Sequence, residues 1–310
     1  MNAHTPVSRR GWLLFGAMAL LWGVPYLFIR IAVESYSPPA IVAGRTLIAA
    51  LLLLPFAIRS GALRPALKKW PWVLAFGAVE MGGPFLLLGH AEQTLHSGPT
   101  GLLVATVPLF AALIALGGGD RAVLKPLRLG GLLVGFAGVA IVVAGPGLAS
   151  GDLLAAGEVL LVAVLYAIAP FIVARKLGDV PSLGTITLAL LAIGVLYLPI
   201  GLATQHEVPT LEATGALLAL AVVCTAVAFL AFFALIREVG PVRAPLFTYV
   251  NPVVAILLGA IVLAEPLTPG LLIGFPLVVV GCWFAATGGR IRPAAPVAPV
   301  PVTPVPPQTP

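Results

Sequence analysis

Charged side chains are scarce in this sequence of 310 residues. Asp, Glu, Lys and Arg make up 9% of it, whereas about 25% is usual in soluble domains. So few charges cannot cover a water-facing surface of this size. Hydrophobic residues reach 60% and the mean hydropathy is +1.10. Because they are spread along the whole chain, a soluble domain with one anchor is excluded and a polytopic membrane protein is indicated.

Cysteine is almost absent as well. Cys224 and Cys282 both lie inside apolar runs, where a thiol usually packs as a small hydrophobic group. His90 and His96, two histidines six residues apart in a predicted loop, are weak evidence for a metal site. The sequence also lacks G-x-x-x-x-G-K-[ST], H-E-x-x-H and G-x-S-x-G patterns. We therefore expect no metal, no cofactor and no enzymatic activity.

The apolar residues form ten runs of roughly 20 residues, the length that crosses a bilayer core of about 30 Å as a helix. No run shows the alternating pattern of a membrane β-barrel. The fold class predicted is all-α integral membrane, with ten helices. They lie near 11–33, 38–58, 71–91, 98–117, 127–146, 152–174, 183–204, 213–236, 243–264 and 269–288.

The basic residues are distributed asymmetrically between the predicted loops. Of the 17 Lys and Arg residues, all but Arg30 and Arg45 fall in loops on the side of the N-terminus. Cytoplasmic loops carry such an excess. We expect a multi-pass protein of the cell membrane (inner or plasma membrane), in contact with the lipid bilayer and with both termini cytoplasmic. The net charge of +6 then reports topology, and no nucleic-acid partner is implied.

A repeat of nearly half the chain organises the sequence. Pro25 and Pro170 are 145 residues apart, Pro108 and Pro252 are 144 apart, and Gly131 and Gly274 are 143 apart. Agreement of several landmarks in order indicates a duplicated unit. The predicted organisation is a cytoplasmic tail at 1–10, five-helix repeats at 11–147 and 151–288, and a Pro-rich disordered cytoplasmic tail at 289–310.

An odd number of helices in each repeat makes the second copy enter the membrane upside down. The break after the fourth helix carries Arg121, Lys125 and Arg128, whereas the matching break after the ninth carries only Glu265. Opposite charge in equivalent loops is typical of an inverted repeat. Such repeats surround a central substrate site near the membrane midplane and alternate its access by rocking.

An ordered set of motifs resembles a known family. The motifs are WG-x-P-Y at 22–26 followed by Arg30, Arg45 in the second helix, GLLVATVPLF at 101–110, and YVNPVVA at 249–255 followed by AEPLT at 264–268. Together they resemble the EamA-type branch of the drug/metabolite transporter superfamily, across residues 12–288. Asp120 departs from the family, which more often has a glutamate after the fourth helix. The resemblance implies a ten-helix bundle around a central cavity and export of small metabolites, often amino acids or related compounds.

The most informative single residue is Glu80, roughly 14 Å into the third helix at 1.5 Å per residue. An acid at this depth indicates function. Two readings stay open, a cavity residue that carries a proton and a permanent ion pair with Arg45. For Arg30 the open readings are interfacial placement and a pair with Glu34.

The candidate substrate-binding residues are aromatic or polar groups near the repeated breaks: Trp22, Tyr26, Glu80, Thr106, Tyr166, Phe229, Tyr249 and Asn251. Thr106 and Asn251 could instead bond to backbone freed by the neighbouring prolines. The candidate hinge or structural residues are Pro25, Pro84, Pro108, Pro170, Pro252 and Arg45. Glycine-rich faces of the fifth and tenth helices, such as Gly131, Gly135 and Gly281, predict a scaffold, with a homodimer contact as the alternative.

The function expected is secondary-active transport, exporting a small-molecule substrate such as an amino acid or related compound by alternating access. A channel or sensor of small molecules on the same scaffold is the alternative, and an intramembrane enzyme is less favoured because no catalytic pattern is found. Saturable counterflow would separate a transporter from a channel.

Overall fold

The computed structural model describes residues 8–144, 152–240 and 244–288. Within these ranges the chain is helical and forms no strand, as predicted. The Pro-rich tail at 289–310 and most of the N-terminal tail lie outside the described residues. The α-helices are α1 (Arg9–Leu21), α2 (Pro25–Ala32), α3 (Pro38–Arg59), α4 (Leu63–Lys68), α5 (Trp70–Gly77), α6 (Gly83–Ala91), α7 (Ser97–Val104), α8 (Val107–Gly117), α9 (Pro126–Ala144), α10 (Asp152–Ile172), α11 (Ser182–Thr204), α12 (Leu211–Ala221), α13 (Ala228–Val239), α14 (Asn251–Val262) and α15 (Pro269–Thr287).

Nine helical stretches in the described part of the chain are long and apolar enough to cross a membrane. The crossing predicted at 243–264 differs from the others, because it consists of a 3-10 segment, Ala244–Tyr249, and the 12-residue helix α14. Pro252 lies in the first turn of α14, where its missing N–H leaves no hydrogen bond unmade. The ninth predicted helix therefore consists of two pieces, which meet inside the crossing.

Two other crossings are also interrupted at a proline. The first crossing is broken between α1 and α2, and Pro25 is the first residue of α2. The fourth is broken between α7 and α8, and Pro108 lies in the first turn of α8. A proline is tolerated at a helix start and disfavoured in its interior. The repeated prolines thus fix where these helices restart.

Three π-helical segments widen the third, sixth and eighth crossings, over Ala78–Gly82, Val173–Leu177 and Val222–Val227. The first and last of these contain Glu80 and Thr225, which are 145 residues apart. That spacing is the same as the spacing between Pro25 and Pro170 in the sequence repeat. The two repeats therefore share a π-helical irregularity as well as their prolines, and such segments often mark functional positions.

The two repeats pack against each other through paired helices. Helix α9 lies along α15, and α3 lies along α11. The glycines of the fifth and tenth crossings are at the α9–α15 contact, since a Cβ added to Gly281 would lie 2.3 Å from the Gly135 nitrogen. Small residues let the two backbones approach this closely. These glycine faces form an internal scaffold of the chain.

The bundle has two chemically different ends. We call the end that carries Lys69, Arg121 and Arg175 the basic end and the other the Glu92 end. At the basic end, Lys69 Nζ contacts the Asp179 carboxylate and the Lys176 carbonyl, and this bond holds the pKa of the exposed Asp179 below its usual range. Salt screens such an exposed pair, so it contributes little to stability.

Candidate functional site

A cavity of about 450 Å³ lies at the centre of the bundle, between the two repeats. Its walls come from the interrupted first, fourth and ninth crossings and from the second, third, sixth, eighth and tenth. Ile29, Leu88 and Gly101 limit it towards the Glu92 end, and Leu246 and Ala286 line it towards the basic end. Ala286 is exposed, so the cavity extends towards the basic end.

Seven of the eight predicted substrate-binding residues line this one cavity. They are Trp22, Tyr26, Glu80, Tyr166, Phe229, Tyr249 and Asn251. Thr106 is not among the lining residues, because it is fully buried and its hydroxyl donates to the Leu103 carbonyl at 2.5 Å. Its side chain therefore bonds to backbone next to the break at Pro108, which is the alternative to substrate binding that the sequence leaves open.

The predicted hinge residues divide into two groups by position. Pro25, Pro108 and Arg45 line the cavity, whereas Pro84, Pro170 and Pro252 are not among its lining residues. Pro84 is the second residue of α6, which follows the first π-helical segment, and Pro170 lies in the last turn of α10, shortly before the second. All five prolines therefore lie at or next to a helix irregularity.

Aromatic rings form one side of the cavity. The Trp22 ring lies 5.7 Å from the Phe229 ring, 5.1 Å from Phe232 and 5.4 Å from Phe247, measured between centroids. These are typical spacings of interacting aromatic pairs. Trp22 therefore both faces the cavity and holds α1 against α13 and the 3-10 segment.

Arg45 brings a positive charge into the cavity wall. It is buried, its Nε donates to the Thr225 hydroxyl at 2.9 Å, and its guanidinium carbon lies 3.8 Å above the Phe85 ring. Its terminal nitrogens make no hydrogen bond to any described residue. The sequence suggests a structural clamp here, and the structure adds that the same side chain lines the cavity.

Glu80 brings a negative charge into the same cavity without pairing with Arg45. The ion pairs among the described residues are Lys69–Asp179 and His90–Glu158, and Glu80 has no hydrogen bond within that part of the chain. The permanent Glu80–Arg45 pair considered from the sequence is therefore not formed in this structure. Instead, Arg45 is held by a hydroxyl and a ring, which leaves the carboxylate free to face the cavity.

Asn251 lies where the first and ninth crossings are both interrupted. With its amide nitrogen turned towards the two interrupted segments, it lies 3.3 Å from the Ala19 carbonyl and 3.2 Å from the Phe247 carbonyl. Both carbonyls belong to backbone that precedes a break in its crossing, and the Phe247 carbonyl also accepts a hydrogen bond from the Val250 nitrogen at 2.8 Å. The Asn251 side chain thus adds a hydrogen bond to the backbone next to each break while it also lines the cavity. Next to it, the Tyr249 ring contacts the Trp283 ring.

The Glu92 end is closed by polar contacts, some within the first repeat and some between the repeats. Arg30 donates to the carbonyls of Glu92 and Gln93. Among the described residues, the pair of Arg30 with Glu34 considered from the sequence is not formed. The Glu265 carboxylate accepts hydrogen bonds from the Ser97 nitrogen and hydroxyl and from the Gly98 nitrogen. It thereby caps the start of α7, a favourable place for negative charge.

Several cavity residues are not identified by sequence reasoning. Phe85, Cys224 and Thr225 also line the cavity, yet each is inconspicuous in an apolar helix. For Thr225 a signal exists, its spacing of 145 residues from Glu80. Glu92 directly follows an apolar run, and no motif in the sequence marks it. Within the described ranges no group of three or more His, Cys, Asp or Glu side chains could hold a metal ion.

Comparison with known proteins gives consistent results. The EamA-like transporter family matches the chain twice, over residues 9–144 and 150–287. The uncharacterized inner membrane transporter YedA of Escherichia coli K12 is 31% identical over 92% of this chain and 94% of its own. The uncharacterized transporter YvbV of Bacillus subtilis is 31% identical over 94% of this chain and 96% of its own.

A solved crystal structure of a protein shares the fold, with a TM-score of 0.63, 23% identity and coverage of 89% of this chain and 97% of that one. The double match confirms the predicted two-repeat arrangement of a ten-helix membrane fold. Together with the apolar helices it identifies a multi-pass membrane protein with a transporter's architecture. The chain belongs to the EamA-like transporter family.

Proposed function

We propose that this protein is a secondary-active transporter that exports a small zwitterionic metabolite, such as an amino acid or a related compound, by alternating access. The observation that carries the proposal is the central cavity between the repeats, which holds one cationic and one acidic side chain that do not pair with each other. A cavity of about 450 Å³ is within the range of small-molecule sites.

The charges of the cavity support a substrate that carries both signs. The free terminal nitrogens of Arg45 suit a carboxylate, because guanidinium binds carboxylates in charge-assisted, often bidentate, hydrogen bonds. Glu80 suits an ammonium group, which can exchange with a proton on the same carboxylate. The rings of Trp22 and Phe229 suit an apolar or cationic side chain. One substrate would thus satisfy both charges and cover the aromatic wall.

The interrupted crossings support alternating access. Pro25, Pro108 and Pro252 place helix restarts around the cavity, where neighbouring segments can move relative to one another. In this conformation the Glu92 end is closed by Arg30 and Glu265, while the cavity reaches towards the basic end. With the basic end in the cytoplasm, this is the state that accepts substrate from inside the cell, as an exporter requires.

A channel or sensor on the same scaffold remains the second candidate, and a homodimer in the bilayer remains a sequence-based expectation. A channel would conduct without saturation and without exchange. No cofactor enters the proposed cycle, because the charges in the cavity are supplied by the chain itself.

The experiment is counterflow in proteoliposomes containing the purified protein. Vesicles are loaded with an excess of one unlabelled compound, and uptake of the same labelled compound is followed. The panel contains zwitterionic amino acids, their amides, which lack the carboxylate, and their N-acetyl derivatives, which lack the ammonium. We expect saturable counterflow of at least one free amino acid and much weaker counterflow of both derivatives.

Equal counterflow of the free compound and its two derivatives would contradict the zwitterion proposal. Uptake that rises linearly with concentration and shows no exchange would favour a channel. Empty vesicles and vesicles with an Arg45→Met variant are the controls, since the variant removes the carboxylate partner and keeps most of the buried side-chain volume.

A further inference from the structure

Glu92 is an acidic residue whose carboxyl group is buried without a hydrogen-bond partner. It follows the last residue of α6 and is 0% exposed. Neither of its carboxyl oxygens has a hydrogen-bond partner among the described residues. The helix start at Ser97 offers nearby donors, but they are already bonded to Glu265.

The charged and titratable groups that interact with Glu92 come from three other parts of the chain. Glu265, before α15, is the acidic one, Arg30 on α2 and Arg45 on α3 are the basic ones, and Tyr26 on α2 is the phenol. Both arginines are engaged elsewhere, Arg30 on backbone carbonyls and Arg45 on Thr225. No guanidinium group therefore forms an ion pair with Glu92.

An ionised carboxylate in this position would be strongly disfavoured. Removing a charge from water without a paired partner or hydrogen bonds is strongly unfavourable, and such groups take up a proton instead. Burial raises the pKa of Glu92, and the Glu265 carboxylate raises it further, while Arg30 and Arg45 oppose the increase. A neutral carboxylic acid is the form that fits this environment.

We propose that Glu92 is a proton-binding site at the gate between the two repeats, occupied when the Glu92 end is closed and vacated when that end opens to water. The site binds one proton from the aqueous side as the gate closes and returns it there as the gate opens. This inference rests on the alternating access of the proposed function. It is separate from Glu80, which lies in the cavity and is exposed to substrate.

A proton suits the site better than a metal cation. The two arginines place positive charge around Glu92, which opposes a second cation. The oxygens of Glu265 are used by the helix start, so they cannot complete a coordination shell. Na⁺ needs several oxygen ligands, whereas a proton needs only the carboxyl oxygen to which it binds.

The sign of the pH effect follows from linkage. Glu92 has a raised pKa in the closed state and an ordinary pKa, about 4.3, once exposed to water. The closed state is therefore favoured at low pH. Between the two pKa values, each unit of increase in pH on that side shifts the balance about tenfold towards opening.

The first test is direct and needs no transport. Infrared spectra of the full-length protein in lipid are recorded between about pH 5 and pH 9, for the parent and for Glu92→Gln, which mimics the neutral acid. We expect the difference spectrum to contain the carbonyl band of a protonated, dry carboxylic acid at neutral pH. Absence of this band at neutral pH would mean an ionised Glu92 and would overturn the proposal.

The second test links the proton to the gate. Ile29 lines the cavity just inside the Glu92 end and is 2% exposed. In a variant without the native cysteines, Ile29→Cys is labelled by a membrane-impermeant reagent from the Glu92 side, with and without Glu92→Gln. Dividing the labelling rate with Glu92→Gln by the rate without it cancels the pH dependence of the thiol. We expect this ratio to be near one at low pH. As pH rises and only the protein with Glu92 opens, the ratio should fall by up to about tenfold per pH unit.

A ratio that does not vary with pH would overturn the link to gating. A shift of the infrared titration by Na⁺ at constant ionic strength would overturn the assignment to a proton. Glu207→Gln, on an exposed connection at the same end, is the matched control and is expected to leave both measurements unchanged. Because neither measurement uses a substrate, failure of the counterflow experiment would leave the outcome of these tests readable.

Discussion

Arg45 in the first repeat donates a 2.9 Å hydrogen bond from Nε to the hydroxyl of Thr225 in the second. Thr225 lies in the π-helical segment Val222–Val227, at the position that matches Glu80 in the sequence repeat. The two equivalent positions thus have different roles. Thr225 accepts a hydrogen bond from Arg45, the cation of the cavity wall, whereas Glu80 supplies an acid to the cavity. The repeat is symmetric in backbone and asymmetric in charge.

The Arg45–Thr225 bond should contribute measurably to stability. Thr225→Val removes the acceptor, and a hydrogen bond to a charged group contributes about 1.5–3 kcal/mol. We expect a lower thermal-unfolding midpoint in detergent and a raised half-saturation for counterflow. In a double-mutant cycle with Arg45→Lys, which keeps the charge and lacks Nε, the two effects should be less than additive.

Thr187→Val is the matched control, because the buried Thr187 hydroxyl donates only to the Leu183 carbonyl of its own helix. Additive effects of the Arg45 and Thr225 substitutions would contradict the importance of the bond.

Glu80→Gln should separate exchange from its dependence on a pH gradient. The amide keeps the size of the side chain but can bind neither a proton nor an ammonium ion as a carboxylate does. We expect a folded protein that still exchanges substrate, with weaker binding, and that no longer accumulates it in response to an imposed gradient. Glu158→Gln, an acid paired with His90, is the control. Normal gradient dependence in Glu80→Gln would exclude Glu80 as the coupling group.

Tyr249→Ala should impair substrate binding more than stability. Tyr249 lines the cavity and makes one aromatic contact, with Trp283 at 5.9 Å between centroids. Phe110→Ala is the matched control, because Phe110 makes a similar contact with Phe136 at 5.7 Å and does not line the cavity. Both variants should lose similar stability, and only Tyr249→Ala should raise the half-saturation severalfold. Equal transport constants would remove Tyr249 from the site. Trp22→Ala would be a less selective test of the site, since Trp22 also contacts three other rings.

Gly281→Ala should destabilise the scaffold. The added Cβ would lie 2.3 Å from the Gly135 nitrogen and 2.8 Å from the Gly131 carbonyl oxygen, so α9 and α15 must separate. Overpacking of this kind costs about 1–3 kcal/mol. Gly130→Ala, in the same helix pair, meets nothing within 4 Å and should be neutral or mildly stabilising. A Gly281→Ala variant with unchanged yield and thermal stability would contradict the packing.

The orientation in the membrane can be tested by labelling single cysteines in intact cells. Leu124 lies at the basic end and is 51% exposed, and Glu207 lies on an exposed connection at the Glu92 end. With the basic end in the cytoplasm, an impermeant reagent should label Glu207→Cys and spare Leu124→Cys until the membrane is opened. The reverse order of reactivity would place both termini outside.

The helical crossings and the repeat could be read from the sequence for a simple reason. A bilayer demands that every backbone polar group be hydrogen-bonded within the protein, so long apolar runs without the alternation of barrel strands form helices. Prolines at matched spacings then fix where helices restart, and Pro25, Pro108 and Pro252 lie at such restarts. The same chemistry explains why most of the aromatic and polar residues near these breaks lie together around one cavity.

Which polar groups pair with one another was decided only by the tertiary structure. Distances along the helices place Glu80 and Arg45 within plausible reach of each other, but in the structure Arg45 contacts Thr225 and Phe85 instead. Arg30 likewise bonds to carbonyls at the end of α6 rather than to its neighbour Glu34. Glu92, at the end of an apolar run, looks solvent-exposed in sequence and is nevertheless fully buried in the structure. Hydropathy is a property of each segment alone, whereas burial and pairing depend on side chains that come from distant segments.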